Sequence, residues 1–390
     1  MAPSDYRKRL RSSRPFDRPD CGRQRCTWLT RSMQRALHGG NGRLAHLRLT
    51  SHRLSWSMHQ SAFSRDNLPR TSSTPSNPAL AQRAREYLRV TPQLPNPGKG
   101  HTSARWQALS KLGAESLPLA KVLEAHYDAL SIFSEAGQPL PSNDAVWAVW
   151  AAGGPHDTAT YEPDSCTVSG LKPWCSAALD VVTHALVTVS SGDQTPLAIV
   201  TLTQDHFTLD ASQWHGPGMA GIPTGSGHFM RAPAVLLGKP TFYLERPGFW
   251  HGGAGIAACW YGAATAIAEQ VRRSPRVAHN PFSAAHLGAI DEQLTGARLM
   301  LHHLADAIDN APAESHQLAV IRLRSMMDRV CRDVLERAAL ALGPVSLCCD
   351  AEHAQRCADL AAFIRQSHGE KDEQWLGEQL HVSEVNPWVL

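Results

Sequence analysis

No CxxC pair, HExxH, Walker A loop or GxSxG elbow occurs in this chain, and no GxGxxG precedes a helical stretch. These absences argue against a zinc ribbon or zincin, a P-loop NTPase, an α/β-hydrolase and a Rossmann dinucleotide site. Cysteine is sparse and unpatterned: Cys21, Cys26, Cys166, Cys175, Cys259, Cys331, Cys348, Cys349 and Cys357 are nine, an odd number, with no dense cluster. No signal-type apolar run is visible near the N-terminus. Reduced thiols and a cytoplasmic protein are therefore expected. The chain also lacks a persuasive membrane span. The stretch between Arg246 and Glu269 carries no Asp, Glu, Lys or Arg. It is rich in Gly and Ala and poor in strongly apolar residues, so it reads as a helix buried in a soluble bundle, with no membrane span.

Charge is unevenly spread. Residues 1–70 hold fifteen Lys+Arg against four Asp+Glu, whereas the remainder holds twenty-three against thirty-one. The basic segment is rich in Arg, Ser and Pro and has no sustained apolar periodicity, so it is expected to remain largely unfolded. A nucleic-acid arm, an organellar presequence and a non-structural extension with Met58 as an internal start are three readings of it. The third is preferred, and no nucleic-acid partner is expected.

Beyond Pro97-Gly98 the pattern becomes helical. Leu109, Leu112, Leu119, Val122, Leu123, Leu130, Ile132 and Phe133 recur at helical spacing, with Gly113 and Gly137 as expected C-caps. From Trp147 the period changes to β. Val181–Val189 and Leu197–Leu202 read as strands joined by a turn at Ser191-Gly192-Asp193, and "GIPTGSGHF" (221–229) reads as a loop of the same block. From Arg246 to Phe363 the pattern is helical again, broken at Pro275, Pro281, Pro312 and Gly343-Pro344. Segregated runs of this kind predict an α+β fold. The expected parts are an extension (1–78), a short N-terminal helical domain (79–145), a central β-barrel-like domain (146–243), a C-terminal four-helix bundle (244–380) and a tail (381–390). The scattered histidines, His302-His303 included, read as surface or satisfied core residues, and no metal is expected.

Two stretches carry more. In "SGLKPWCSAA" (169–178) a Gly turn and Lys172 precede Trp174 and Ser176. The pattern fits either a turn with a core Trp or a rest for a flat aromatic ligand, with a hydroxyl at its edge. "GLKPWCS" and "RPGFWHGGAGIAACWYGAA" resemble motifs of the acyl-CoA dehydrogenase superfamily over roughly residues 104–377. The first resembles the family's flavin-side Gly-x-Lys-x-Trp-Ile-Thr, and the second its first long C-terminal helix, with Arg246 and Gly255 in place. "ALGPVSLCCDAEHAQRCAD" resembles the segment leading to the Arg-Asp pair, with Gly343 and Asp359 retained. The family's Thr-Glu-Pro-x-x-Gly-Ser-Asp is replaced by residues 151–155, and its Arg-x-x-Phe-Gly followed by Gln is reduced to Arg276, with His286 near the Gln position.

The resemblance implies FAD as cofactor, bound by Trp150, Ala151, Trp174, Ser176 and Arg276, with Arg246 on the substrate side. It implies α,β-dehydrogenation of an acyl-CoA or related thioester in fatty acid metabolism. An electron-transfer flavoprotein would be the partner, and the assembly a homodimer or homotetramer. The reaction needs a carboxylate base. The common position is occupied by Ser367, with Glu370 three residues on. The minority position directly before the helix Arg is Glu245, which is therefore the expected base, with Glu370 as the alternative. Two other readings stand beside this one. A flavin-dependent monooxygenase would use a histidine such as His251, and a non-catalytic relative would keep only the fold.

Overall fold

The computed structural model describes residues 77–154, 156–177 and 181–389, all within the unit Arg70–Leu390. The basic extension, with Cys21, Cys26 and Met58, lies outside the described residues.

Three helices come first: α1 (Pro78–Val90), α2 (Thr102–Glu115) and α3 (Leu117–Glu135). Asn77 accepts the Leu80 N–H and caps α1, with Pro78 at its first position. Ser116 ends α2 and caps α3 by accepting the Leu119 N–H. Gly137, at φ +64, follows α3 in the left-handed conformation expected of a helix stop. Gly113 is no cap. It lies inside α2, where a Cβ would overlap the Cys259 carbonyl of the long central helix described below.

The β block contains β1 (Trp147–Trp150), β2 (Thr160–Glu162), β3 (Thr167–Ser176), β4 (His184–Thr188), β5 (Leu197–Thr201), β6 (Phe207–Asp210) and β7 (Thr224–Leu237). Among the described residues the strand order is β1-β4-β5-β7-β3-β2, with β6 also paired to β7. The β1–β4 pair is parallel and the other pairs are antiparallel. The β4–β5 hairpin turns through Ser191–Gln194, as the sequence predicts. The Gly-rich 221–229 stretch differs from expectation, because its second half is strand β7. Gly225 and Gly227 sit there because a Cβ at either would overlap a neighbour: the Asp210 carbonyl, or the Phe207 ring and Cys175 sulfur. β7 ends at Leu237, and the short helix α4 (Phe242–Glu245) follows.

The C-terminal part is helical: α5 (Gly248–Arg273), α6 (Pro275–His279), α7 (Pro281–Asn310), α8 (Gln317–Leu342), α9 (Pro344–Cys348), α10 (Ala351–Phe363), a 3-10 turn (Ile364–Gln366) and α11 (Glu370–His381). Pro275, Pro281 and Pro344 each open a helix, where the missing N–H costs nothing. The charge-free stretch is α5, the central helix, which packs on α2, α3, α7, α8 and α10. Ala257, Ala258, Cys259, Trp260, Ala263, Ala264, Ile267 and Val271 are all buried. A Cβ on Gly262 would overlap the Ser110 carbonyl of α2, so small residues let the two backbones meet. Among the described residues no helix is long and apolar enough to cross a membrane.

Candidate functional site

A cavity of about 670 Å³ lies where α3, the β1 and β3 ends, α5, α8 and the α10–α11 turn converge. Its walls are apolar and aromatic, with Trp147, Trp150, Trp174, Trp214, Phe249, Trp250 and Phe363 all contributing.

The β side is built by strand irregularity. The β3–β7 register slips between Lys172 and Cys175. This bulge puts Trp174 at φ +62 and leaves its ring 59 % exposed, edge-on to Trp214 at 6.4 Å between centroids. Trp150 is fixed more tightly. Its Nε1 donates to the Ser176 carbonyl at 3.1 Å and its ring stacks on Phe207 at 5.3 Å. Thr224 Oγ1 lies 3.1 Å from Ser176 Oγ and 3.3 Å from the Ile222 carbonyl oxygen, and its single hydrogen serves one of the two. Lys172 is fully buried. Its Nζ donates to Asp157 at 2.6 Å and to Thr188 Oγ1 at 2.9 Å, and Thr188 reaches the Ala151 carbonyl. Lys172 thus pins the strand end that carries Ala151 to the 151–157 segment.

The helical side carries the charge. Arg246 is buried and donates to Glu135 at 3.2 Å and to Asp128 at 3.3 Å, with its guanidinium over Tyr243. Its Nε is buried, with no hydrogen-bond partner among the described residues. Glu124 lies one turn before Asp128 on α3 and is also buried. Burial pushes its carboxyl above the usual range, against the opposing pull of Lys121. Arg324 of α8 donates to the Gly253 and Gln366 carbonyls and rests on Trp260. His368, 3.2 Å from Asp372, lines the opposite edge.

Trp150, Ala151, Trp174, Ser176 and Arg246 come together on this cavity. The charge on Arg246 is already matched by two carboxylates, so it serves the cavity wall more than a free ligand. The two expected bases do not reach it. α4 is only four residues long and turns Glu245 outward as Arg246 turns in. Glu245 is over half exposed, 2.8 Å from Lys239, and hydrogen bonds from Lys239 and Thr241 hold its carboxyl below the usual range. Glu370 opens α11 on the exposed side, and neither it nor Ser367 lines the cavity. His251 also points elsewhere. It is buried with Nε2 2.9 Å from the Glu314 carbonyl, and burial lowers its pKa to about 4. Arg276 lines a separate cavity of about 520 Å³, beside Gly343. Asp359 accepts the Met219 N–H at 2.6 Å and docks the 215–222 loop on α10.

Sequence reasoning missed Glu124, Asp128 and Arg324. The signal in the sequence was two acids four residues apart on a largely apolar α3. Among the described residues no cluster of three or more His, Cys, Asp or Glu side chains is placed to hold a metal.

No family model matches the chain, and no curated protein matches it. Solved structures do. Glutaryl-CoA dehydrogenase from Mycobacterium smegmatis is similar over 82 % of this chain and 92 % of its own, at 14 % identity and a TM-score of 0.64. Butyryl-CoA dehydrogenase from Megasphaera elsdenii is similar over 77 % and 90 %, at 14 % identity and a TM-score of 0.63. TdsC from Paenibacillus sp. A11-2, solved with FMN and indole, is similar over 80 % and 97 %, at 15 % identity and a TM-score of 0.61. At these identities the likeness is one of fold. The chain is a mixed α+β protein with the fold of the acyl-CoA dehydrogenases and their structural relatives.

Proposed function

We propose that the chain is a flavin-dependent oxidoreductase whose cavity holds the flavin ring on its β side and a small apolar substrate on its helical side. One observation carries this reading: Trp150, Trp174 and Ser176 converge, in a protein of this fold, on a cavity that no side chain fills. The residues present fit the cofactor. A planar ring needs an apolar face, which the two tryptophans supply, and polar groups at its edge, which Ser176 Oγ and the Ala151 backbone supply. A bound flavin supplies two-electron redox chemistry. The chain's own residues hold the ring, exclude water through the aromatic walls and orient the substrate against the α3 side.

Oxygenation is the first reading because it needs no carboxylate base, although His251, the histidine expected for it, also lies off the cavity. Neither Glu245 nor Glu370 reaches the cavity, so the carboxylate base of an α,β-dehydrogenation is missing from both expected positions. TdsC, which shares the fold, was solved with FMN and an indole. Dehydrogenation of an acyl thioester is the second reading, favoured by the presence of a different buried carboxyl, Glu124, in the wall. That reading would keep an electron-transfer flavoprotein as partner. FAD is the proposed form of the cofactor if Arg276 and Gly343 bind its distal half, with the chain as a homodimer or homotetramer. Purified protein should show flavin absorbance, and the released flavin identifies FAD or FMN by chromatography. Bleaching by an acyl-CoA without O₂ would select the second reaction, while oxygen-dependent turnover after chemical reduction would select the first. Protein that never takes up flavin would refute the proposal.

A further inference from the structure

The α3 wall of the cavity contains a carboxyl group with an unfilled side. Among the described residues, Glu124 receives one hydrogen bond, a long one of 3.5 Å from Lys121 to Oε2, and Oε1 receives none. Glu124 itself is only 5 % exposed. Apart from Lys121, which is ion-paired with Oε2, the neighbouring cations direct their donors elsewhere. Arg105 donates to the Pro95 carbonyl, Arg246 to Asp128 and Glu135, and Arg324 to two backbone carbonyls. A carboxyl oxygen without a protein donor, in a largely buried residue, gains when a ligand brings one. The cavity it lines is walled largely by aromatic rings, with Lys121, Asp128, Arg246 and Arg324 also in the wall, so the body of that ligand meets mainly apolar surface.

We infer that Glu124 is the substrate-recognition residue of this cavity and that it takes an apolar, aromatic-sized molecule bearing an amino group. The ammonium would donate to Glu124 Oε1, the oxygen that Lys121 leaves free, as a charge-assisted hydrogen bond. A carboxylate at Oε1 would face the acids Glu124 and Asp128, against the pull of Lys121 on the same wall. This inference rests on the cavity being the substrate chamber of the proposed oxidoreductase.

Three probes of similar shape test it on the full chain as purified: phenethylamine, 2-phenylethanol and 3-phenylpropionate, titrated by calorimetry. Phenethylamine should bind at least ten-fold more tightly than 3-phenylpropionate. Glu124→Gln should weaken phenethylamine at least ten-fold while changing 2-phenylethanol less than three-fold, since the amide oxygen still accepts a neutral donor. The order of the three probes on the unaltered protein tests the claim even if the variant fails to fold. Preference for 3-phenylpropionate, absence of binding by all three, or unchanged phenethylamine affinity in a folded Glu124→Gln protein would overturn it. Flavin content of the same samples separates the two claims. Flavin bound with Glu124-independent amine affinity defeats only this inference, whereas Glu124-dependent binding in protein that cannot take up flavin defeats only the redox reading.

Discussion

Lys172 and Glu124 illustrate opposite treatments of a buried charge. Lys172 has an acid at 2.6 Å and a hydroxyl at 2.9 Å, so its burial is satisfied. Replacing it with Met leaves Asp157 unpaired and should cost about 2–3 kcal/mol in urea unfolding, while loosening the strand end at Ala151. Glu124 has a carboxyl whose pKa is raised by burial above its ordinary 4.5. A raised carboxyl pKa means that the native state holds its proton longer than the unfolded chain, so this group costs stability as pH rises past that range. Glu124→Gln should therefore raise Tm at pH 7 to 8, and the gain should shrink towards pH 4. A Tm difference independent of pH would contradict that assignment. His126 has the reverse sign. Its Nδ1 accepts the Trp147 N–H at 3.2 Å, and burial lowers its pKa from 6.5 to about 4. The neutral ring is the native form, so its contribution is complete above pH 6.5 and is lost as pH falls through 4. That contribution is worth roughly 3 kcal/mol. A His126→Gln variant should show a flatter stability profile across that window in acid titration. At this scale Trp174 and Ser176 were legible as candidates because GLKPWCS resembles the family's Gly-x-Lys-x-Trp-Ile-Thr, and both line the cavity. Glu124 and Asp128 were not, because two acids at helical spacing read as a solvated face until packing shows them buried.

Among the elements, α5 decides most. The charge-free run up to Ala268 follows from its place among five other helices, and Gly255 and Gly262 follow from contact with α2. Gly262→Ala puts a methyl against the Ser110 carbonyl, a backbone atom that cannot rotate away. We expect a loss of about 2 kcal/mol or more, measured by denaturant unfolding, whereas Gly253→Ala meets nothing within 4 Å and should be near neutral. The helix–strand–helix order and the proline-opened helices were readable from period and breaker residues alone. The parallel β1–β4 edge and the irregular β3–β7 register were not, since they depend on partners distant in sequence. The bulge that turns Trp174 outward belongs to that illegible part, and so does the short α4 that sends Glu245 to the surface.

For the whole molecule, the fold supplies a chamber between sheet and helices, and the residues lining it are a mixture of expected and unexpected groups. Trp150, Ala151, Trp174 and Ser176, which the resemblance names, line the chamber, while the expected catalytic carboxylates lie away from it. That combination is why a flavin is proposed with more specificity than a substrate. Trp174→Ala should weaken flavin binding about ten-fold through loss of ring contact, read by fluorescence titration with FMN and FAD, without changing Tm in the flavin-free protein. The central claim is tested most directly by titrating the purified chain with flavin and measuring stoichiometry. Binding of one flavin per chain, with quenching of tryptophan fluorescence that Trp174→Ala reduces, is the predicted result. Folded protein that binds neither FMN nor FAD would contradict the account.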